Sequence, residues 1–261
     1  MNYIDTHTHI DGEEFKEDLD LVIQRAKEAG AVKLFVPGIN ETSIGSVRDV
    51  CNRYPGYCCG MIGLHPEDVK EDWQSVVGKM KAELEAGYPA IAIGEIGLDF
   101  YWSREYENEQ LKAFEEQVEW AIETRLPLMI HCRKAQNEMV KILRRHEDKL
   151  PGGVFHCFTG NEHEAEELLA FDGFCLGIGG VLTFKKSNLP ATLANVVPLS
   201  RVVLETDAPY MAPVPHRGER NESAFVVNVI ERMAEAYGVT ALEVAQVTTE
   251  NAMRLFPLAF K

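Results

Sequence analysis

Eight short apolar runs recur along the chain with amphipathic stretches between them. No other feature of the sequence restricts the fold so strongly. The runs fall at residues 3–9, 32–37, 57–64, 90–95, 127–131, 153–157, 174–179 and 201–206. Between them, stretches such as 17–29 and 107–124 repeat their apolar residues at helical spacing. Punctuation agrees: Gly30 follows the first helix as a stop, Asn161 with Glu164 forms a capping pair, and Thr240 with Glu243 opens the last helix. Strand–helix alternation of this kind requires parallel strands joined by right-handed crossovers. An open doubly wound sheet would place GxGxxG after its first strand, where this chain has HTHIDGEEF. With 261 residues, a closed (β/α)8 TIM barrel forming one domain over residues 1–261 is the expected architecture.

The net charge is −15. Proteins that coat duplex DNA neutralise phosphates with basic surfaces, so general DNA coating is excluded as a function class. An enzyme that grips one or two phosphates through metal ions is not. No run is long and apolar enough for a membrane span, and no basic-then-apolar leader opens the sequence. The six cysteines lack CxxC spacing and lie in strand-like surroundings, as expected of reduced core thiols. The expected setting is cytoplasmic, with no membrane and no obligate protein partner.

Barrel strands all point their C-terminal ends to one rim, where catalytic groups collect. There the sequence places His7 and His9 at the end of the first strand, His65 after the third and Glu95 at the end of the fourth. His131 ends the fifth strand, His156 the sixth, and Asp207 follows the eighth. Alternation along the first strand predicts Asp5, His7 and His9 on one face, with Ile4, Thr6 and Thr8 on the other. Four imidazoles and two carboxylates exceed the needs of one tetrahedral zinc. They suit two divalent ions about 3.5–4 Å apart, bridged by a carboxylate and a hydroxide. Two such ions, two carboxylates and that hydroxide leave one net positive charge, which a phosphodiester neutralises.

The stretches "DTHTH", "GLHP", "AIGEIGLDFY", "MIHCR", "HCFTG", "ETDAPY" and "TTENAMRLF" span nearly the whole chain. With them the chain resembles the TatD family of metal-dependent deoxyribonucleases, among the amidohydrolase-type barrels. The resemblance implies that His7, His9, Glu95 and Asp207 hold one ion while Glu95, His131 and His156 hold the other. It implies that His65 contacts the scissile phosphate and that Asp207 orients or deprotonates the nucleophile. The ions would be zinc, magnesium or manganese, since ligand type alone does not separate them. The implied substrate is DNA, entered at a single-stranded end and cut from the 3′ side. A metal-dependent ester or amide hydrolase on the same barrel, such as an aminoacyl-tRNA deacylase, is the competing reading. Related amidohydrolases often carry a modified lysine where this chain has Glu95, which favours the nuclease.

Other residues on the same rim carry weaker signals. Arg133 is placed to clamp phosphate or to form a rim salt bridge, and His65 lies away from the two ligand groups. Glu205 shares the face of Asp207 and either binds a further ion or, as the favoured reading, accepts a hydrogen bond from a ligand histidine. Cys132 and Cys157 adjoin ligands but face the other way, as packing residues. Phe100, Tyr101 and Trp102 either offer a base a stacking surface or pack as a lid. Lys185, Lys186, Arg217 and Arg220 are further rim cations, and His216 is expected to be solvated.

Overall fold

A computed structural model describes residues 1–261. Eight parallel strands run in chain order: β1 (Tyr3–Asp5), β2 (Ala31–Val36), β3 (Cys58–Gly60), β4 (Ile93–Asp99), β5 (Leu128–Arg133), β6 (Gly153–Phe155), β7 (Phe174–Ile178) and β8 (Val202–Leu204). β1 to β3 form one sheet and β4 to β8 another. A parallel bridge from Ile62 to Ile93 joins the sheets on one side, and one from Thr8 to Ala208 joins them on the other. The strands therefore close into the expected barrel. Seven helices fill the crossovers: α1 (Leu19–Ala29), α2 (Ser43–Arg53), α3 (Trp73–Glu85), α4 (Glu107–Thr124), α5 (Gln136–Arg145), α6 (Glu162–Leu169) and α7 (Leu189–Val196). Two more, α8 (Val226–Tyr237) and α9 (Ala241–Leu255), follow β8.

Local sequence explains the element ends. Gly30 takes a left-handed φ of 107° and stops α1. Asn161 accepts from the Glu164 N–H while the Glu164 carboxylate accepts from the Asn161 N–H, a full capping box for α6. At α9, Thr240 accepts from the Glu243 N–H.

Two apolar layers hold the barrel. The inner layer takes Ile4, Phe35, Met61, Ala92, Met129, Val154, Cys175 and Val203 from the strands and their lead-ins. Phe256 caps it with its ring 5.1 Å from that of Phe35. Asn251 of α9 donates to the carbonyls of Leu199 and Val202 at the start of β8, so this C-terminal plug closes the N-terminal end of the barrel. The opposite mouth is left for polar groups.

Several strands are shorter than expected, the third covering only Cys58–Gly60 of 57–64 and the eighth only Val202–Leu204 of 201–206, and two others depart in ways that move site residues. The fourth begins at Ile93 rather than residue 90 and runs on to Asp99, so Glu95 lies inside β4 instead of ending it. Its pairing with β5 shifts between Ile93 and Ile96 and then continues to Asp99 opposite Arg133. Gly97 makes that close pairing feasible: a Cβ there would lie 1.8 Å from the His131 carbonyl oxygen. Strand β1 ends at Asp5 and the pleat breaks beyond it. Amides two residues apart in a regular strand face the same neighbour. Here Thr6 N–H donates to Leu204 on the β8 side and Thr8 N–H to Phe35 on the β2 side. Asp5 consequently leaves the face of His7 and His9. Its carboxylate accepts from Ser223, Thr206 and the His7 N–H.

Candidate metal centre

At the C-terminal mouth, donor atoms gather around the two oxygens of Glu95. On one side, Glu95 Oε2 lies 3.2 Å from His7 Nε2 and 3.4 Å from His9 Nε2. Asp207 Oδ1 completes that group at 3.7 and 3.6 Å from the same two nitrogens. The two Nε2 atoms are 3.2 Å apart. On the other side, Glu95 Oε1 lies 2.8 Å from His156 Nε2, 3.0 Å from His131 Nδ1 and 3.2 Å from His65 Nε2. His131 Nδ1 and His156 Nε2 are 3.2 Å apart. One buried carboxylate thus divides its oxygens between two clusters of nitrogen and oxygen donors.

The first cluster has the spacing of a divalent-cation site, and the second is tighter. Ligands bound at about 2.0–2.1 Å in a tetrahedron stand about 3.3–3.4 Å from one another. The first cluster spans 3.2–3.7 Å and the second 2.8–3.2 Å where measured. Imidazole with carboxylate is also a donor set that divalent ions accept.

Burial alone would raise the Glu95 carboxyl, but the charges of His156, His65 and His7 outweigh it and hold the group well below the ordinary carboxylate range. Burial likewise opposes charge on His9, yet hydrogen bonds to Asp207 and Glu95 push its imidazole up to about 10. His7 goes the other way, lowered by burial and by His156, whose ring stacks on it at 4.0 Å. Glu95 and Asp207, whose carboxyl is also held below its ordinary range by the neighbouring histidines against its burial, are thus the two anionic groups among these imidazoles.

Hydrogen bonds outside the cluster separate the roles of two histidines. His131 Nε2 faces Asp99 Oδ2 at 2.9 Å, an acceptor that fixes the proton there and leaves the Nδ1 lone pair aimed at the cluster. His65 has the opposite tautomer. Its Nδ1 accepts from the Glu67 N–H at 3.2 Å, so the neutral ring carries its proton on Nε2, the atom nearest Glu95. His65 does not lie apart from the ligand groups as the sequence suggested. Beyond Gly60 the chain stays in the barrel wall through the Ile62–Ile93 bridge, and the His65 ring comes within 4.6 Å of the His131 ring, edge to face. Proximity joins it to the cluster, while its tautomer makes it a donor.

Sequence reasoning missed Asp99. The usable signal was alternation: Glu95, Gly97 and Asp99 share one face of β4. Removing a carboxylate that orients a ligand histidine typically costs 10–100-fold in metal affinity. Asp99→Ala is expected to weaken binding to the His131 cluster by about that much. Titration of metal-free protein with a divalent ion checks this, and an unchanged isotherm would remove Asp99 from the site's support.

The remaining rim residues divide clearly. Glu205 is buried; its Oε1 accepts from the Cys157 N–H at 2.5 Å and stands 3.8 Å from His156 Nδ1, beyond hydrogen-bond length. Gly177 leaves room for it, since a Cβ there would lie 2.2 Å from Glu205 Oε2. Cys132 packs against the outer core, where burial pushes its thiol up to about 12. The Arg133 guanidinium forms no ion pair and lies 3.7 Å from the centre of the Tyr101 ring. Phe100 is buried, whereas Tyr101 and Trp102 are exposed. Arg220 is tied to Asp18 at 2.7 Å, which removes it from the free rim cations. His216 stacks on Phe225 at 3.7 Å and pairs with Glu219, so it is packed rather than freely solvated.

Comparison with known proteins agrees with this geometry. The family described as TatD related DNase matches residues 4–257. YabD, a metal-dependent hydrolase of Bacillus subtilis strain 168, is 37% identical over 252 residues, covering 97% of this chain and 98% of its own. A protein of Pectobacterium carotovorum named 3′-5′ ssDNA/RNA exonuclease TatD is 34% identical over 260 residues, covering 98% and 99%. The crystal structure of YJJV, a TatD homologue from Escherichia coli K12, superposes with a TM-score of 0.89 at 30% identity and 98% coverage of both chains. The barrel, its rim of histidines and carboxylates and these full-length matches lead to one assignment: the chain belongs to the TatD-related DNase family.

Proposed function

We propose that this protein hydrolyses phosphodiester bonds at the ends of single-stranded DNA, using two divalent cations, zinc, magnesium or manganese, seated on either side of Glu95. The observation that carries this reading is the division of Glu95, with Oε2 facing one donor cluster and Oε1 the other. The exonuclease name of the Pectobacterium relative supports both the strand preference and a 3′ to 5′ direction.

Bound divalent ions supply Lewis acidity toward a phosphoryl oxygen and a water acidic enough to attack near neutral pH. His7, His9, Asp207 and Glu95 would hold one ion, and His131, His156 and Glu95 would hold the other. Asp207 Oδ1 faces the two histidines, which leaves Oδ2 to orient the attacking water and accept its proton. His65 Nε2–H donates to the scissile phosphate, whose arrival displaces its contact with Glu95. Arg133, with no ion pair of its own, donates to a phosphate of the same strand.

A cup at a barrel mouth takes a flexible strand end more readily than the middle of a stiff duplex. With a net charge of −15, the chain has no long basic track, so binding rests on the cations and two or three phosphates. Log affinity against log salt is expected to fall with a slope of about −1.5 to −2, at about 0.7 per single-strand phosphate. A linear single-stranded oligonucleotide should be degraded and a closed circle of equal length spared. Equal cleavage of the circle, or a slope steeper than about −5, contradicts end-on binding.

A further inference from the structure

Trp102 is the most exposed large apolar side chain in the protein, at 66%, and its neighbour Tyr101 is 50% exposed. The two other tryptophans, Trp73 and Trp120, are buried, as is Phe100 immediately before the pair. A packed lid would bury these rings, so the lid reading fails for Tyr101 and Trp102 and holds for Phe100 alone. The rings meet edge to face with centroids 4.8 Å apart, which leaves a face of Trp102 open to solvent.

Two connections tie this exposed pair to the metal centre. The Arg133 guanidinium, two residues beyond His131, lies 3.7 Å from the Tyr101 ring centre and 5.2 Å from that of Trp102, and forms no ion pair. Asp99 joins both places: Oδ1 accepts from the Tyr101 N–H at 2.8 Å, while Oδ2 meets His131 Nε2 at 2.9 Å. The aromatic patch is thus fixed to a residue of the site itself.

We propose that Trp102, Tyr101 and Arg133 form a nucleobase subsite. The base of the nucleotide beside the scissile phosphate stacks on the open face of Trp102, with Tyr101 supporting that ring. Arg133, seated over the aromatic rings, donates to a phosphate of the same strand. Every base presents a π face, so such a subsite tolerates sequence. It also supplies affinity that does not depend on counterion release, in a chain too acidic to rely on basic charge. The inference rests on the nucleic-acid reading above and assigns the residues that hold the base.

The test compares an intact single-stranded oligonucleotide with one whose terminal nucleotides lack bases, using metal-loaded wild type, Trp102→Ala and Arg133→Gln. Stacking is worth enough that Trp102→Ala should raise KM for the intact strand by about 5–100-fold. Base removal should raise the wild-type KM comparably, and combining the two changes should add little. Arg133→Gln should raise KM for both strands. Intrinsic fluorescence gives a readout independent of turnover, since Trp102 is the one exposed tryptophan: the intact strand should quench it and the abasic strand should not. An equal rise in KM for both strands in Trp102→Ala, or no rise, overturns the subsite while leaving the nuclease reading intact. Wild type that neither cleaves nor binds any oligonucleotide overturns both.

Discussion

Replacing Glu95 with alanine is expected to abolish hydrolysis, with a rate loss on the order of 10³ or more. Glu95 meets each donor cluster with a separate oxygen: Oε2 approaches His7 and His9, and Oε1 approaches His65, His131 and His156. Without the carboxylate, the imidazoles on each side lose their shared anion, and cations held there would lose the ligand common to both. The fold should survive, because the barrel is held by apolar layers on either side of the strands and by the C-terminal plug. Glu95→Gln, which keeps the shape and removes the charge, should be nearly as inactive. Near-normal turnover in a variant that circular dichroism shows to be folded would refute the bridging role.

His65→Ala should lose activity by roughly 10²–10⁴ while keeping its full metal content. Both halves follow from the proton on Nε2, which the Glu67 N–H dictates by donating to Nδ1. A ring protonated on the atom nearest the cluster donates to an anion and does not ligate a cation. The 3.2 Å approach to Glu95 makes metal content the decisive readout. Loss of one metal equivalent in the variant would make His65 a ligand and overturn the tautomer assignment.

The barrel was legible because parallel strands buried on both faces appear as short apolar runs, and eight of them alternate with helices. Helix α4, expected at 107–124, occupies that span to the residue. Strand ends were less legible. The apolar run 90–93 suggested a strand finishing at Glu95, but the glycine-containing continuation to Asp99 pairs fully with β5 because Gly97 permits close contact. Misplacing that end hid Asp99, which lies two alternations beyond Glu95 on the same face. Asp5 was assigned the face of His7 because strict alternation was assumed, and the broken pleat at the β1–β8 seam lies outside what period-two reasoning detects. The position of His65 depended on the path of the chain after Gly60, which carries no periodic signal. Glu205 was expected to accept a hydrogen bond from a ligand histidine, but its Oε1 accepts from the Cys157 backbone instead.

The central claim is that two cations sit side by side on one carboxylate and act together. Reconstitution of metal-free protein tests it most directly, with bound metal per chain and cleavage of a single-stranded oligonucleotide measured on the same samples. The account predicts saturation at two ions per chain, activity that rises only as the second is filled, and a Glu95→Ala variant that reaches neither. Full activity at one ion per chain, or unchanged activity under exhaustive chelation, would contradict it.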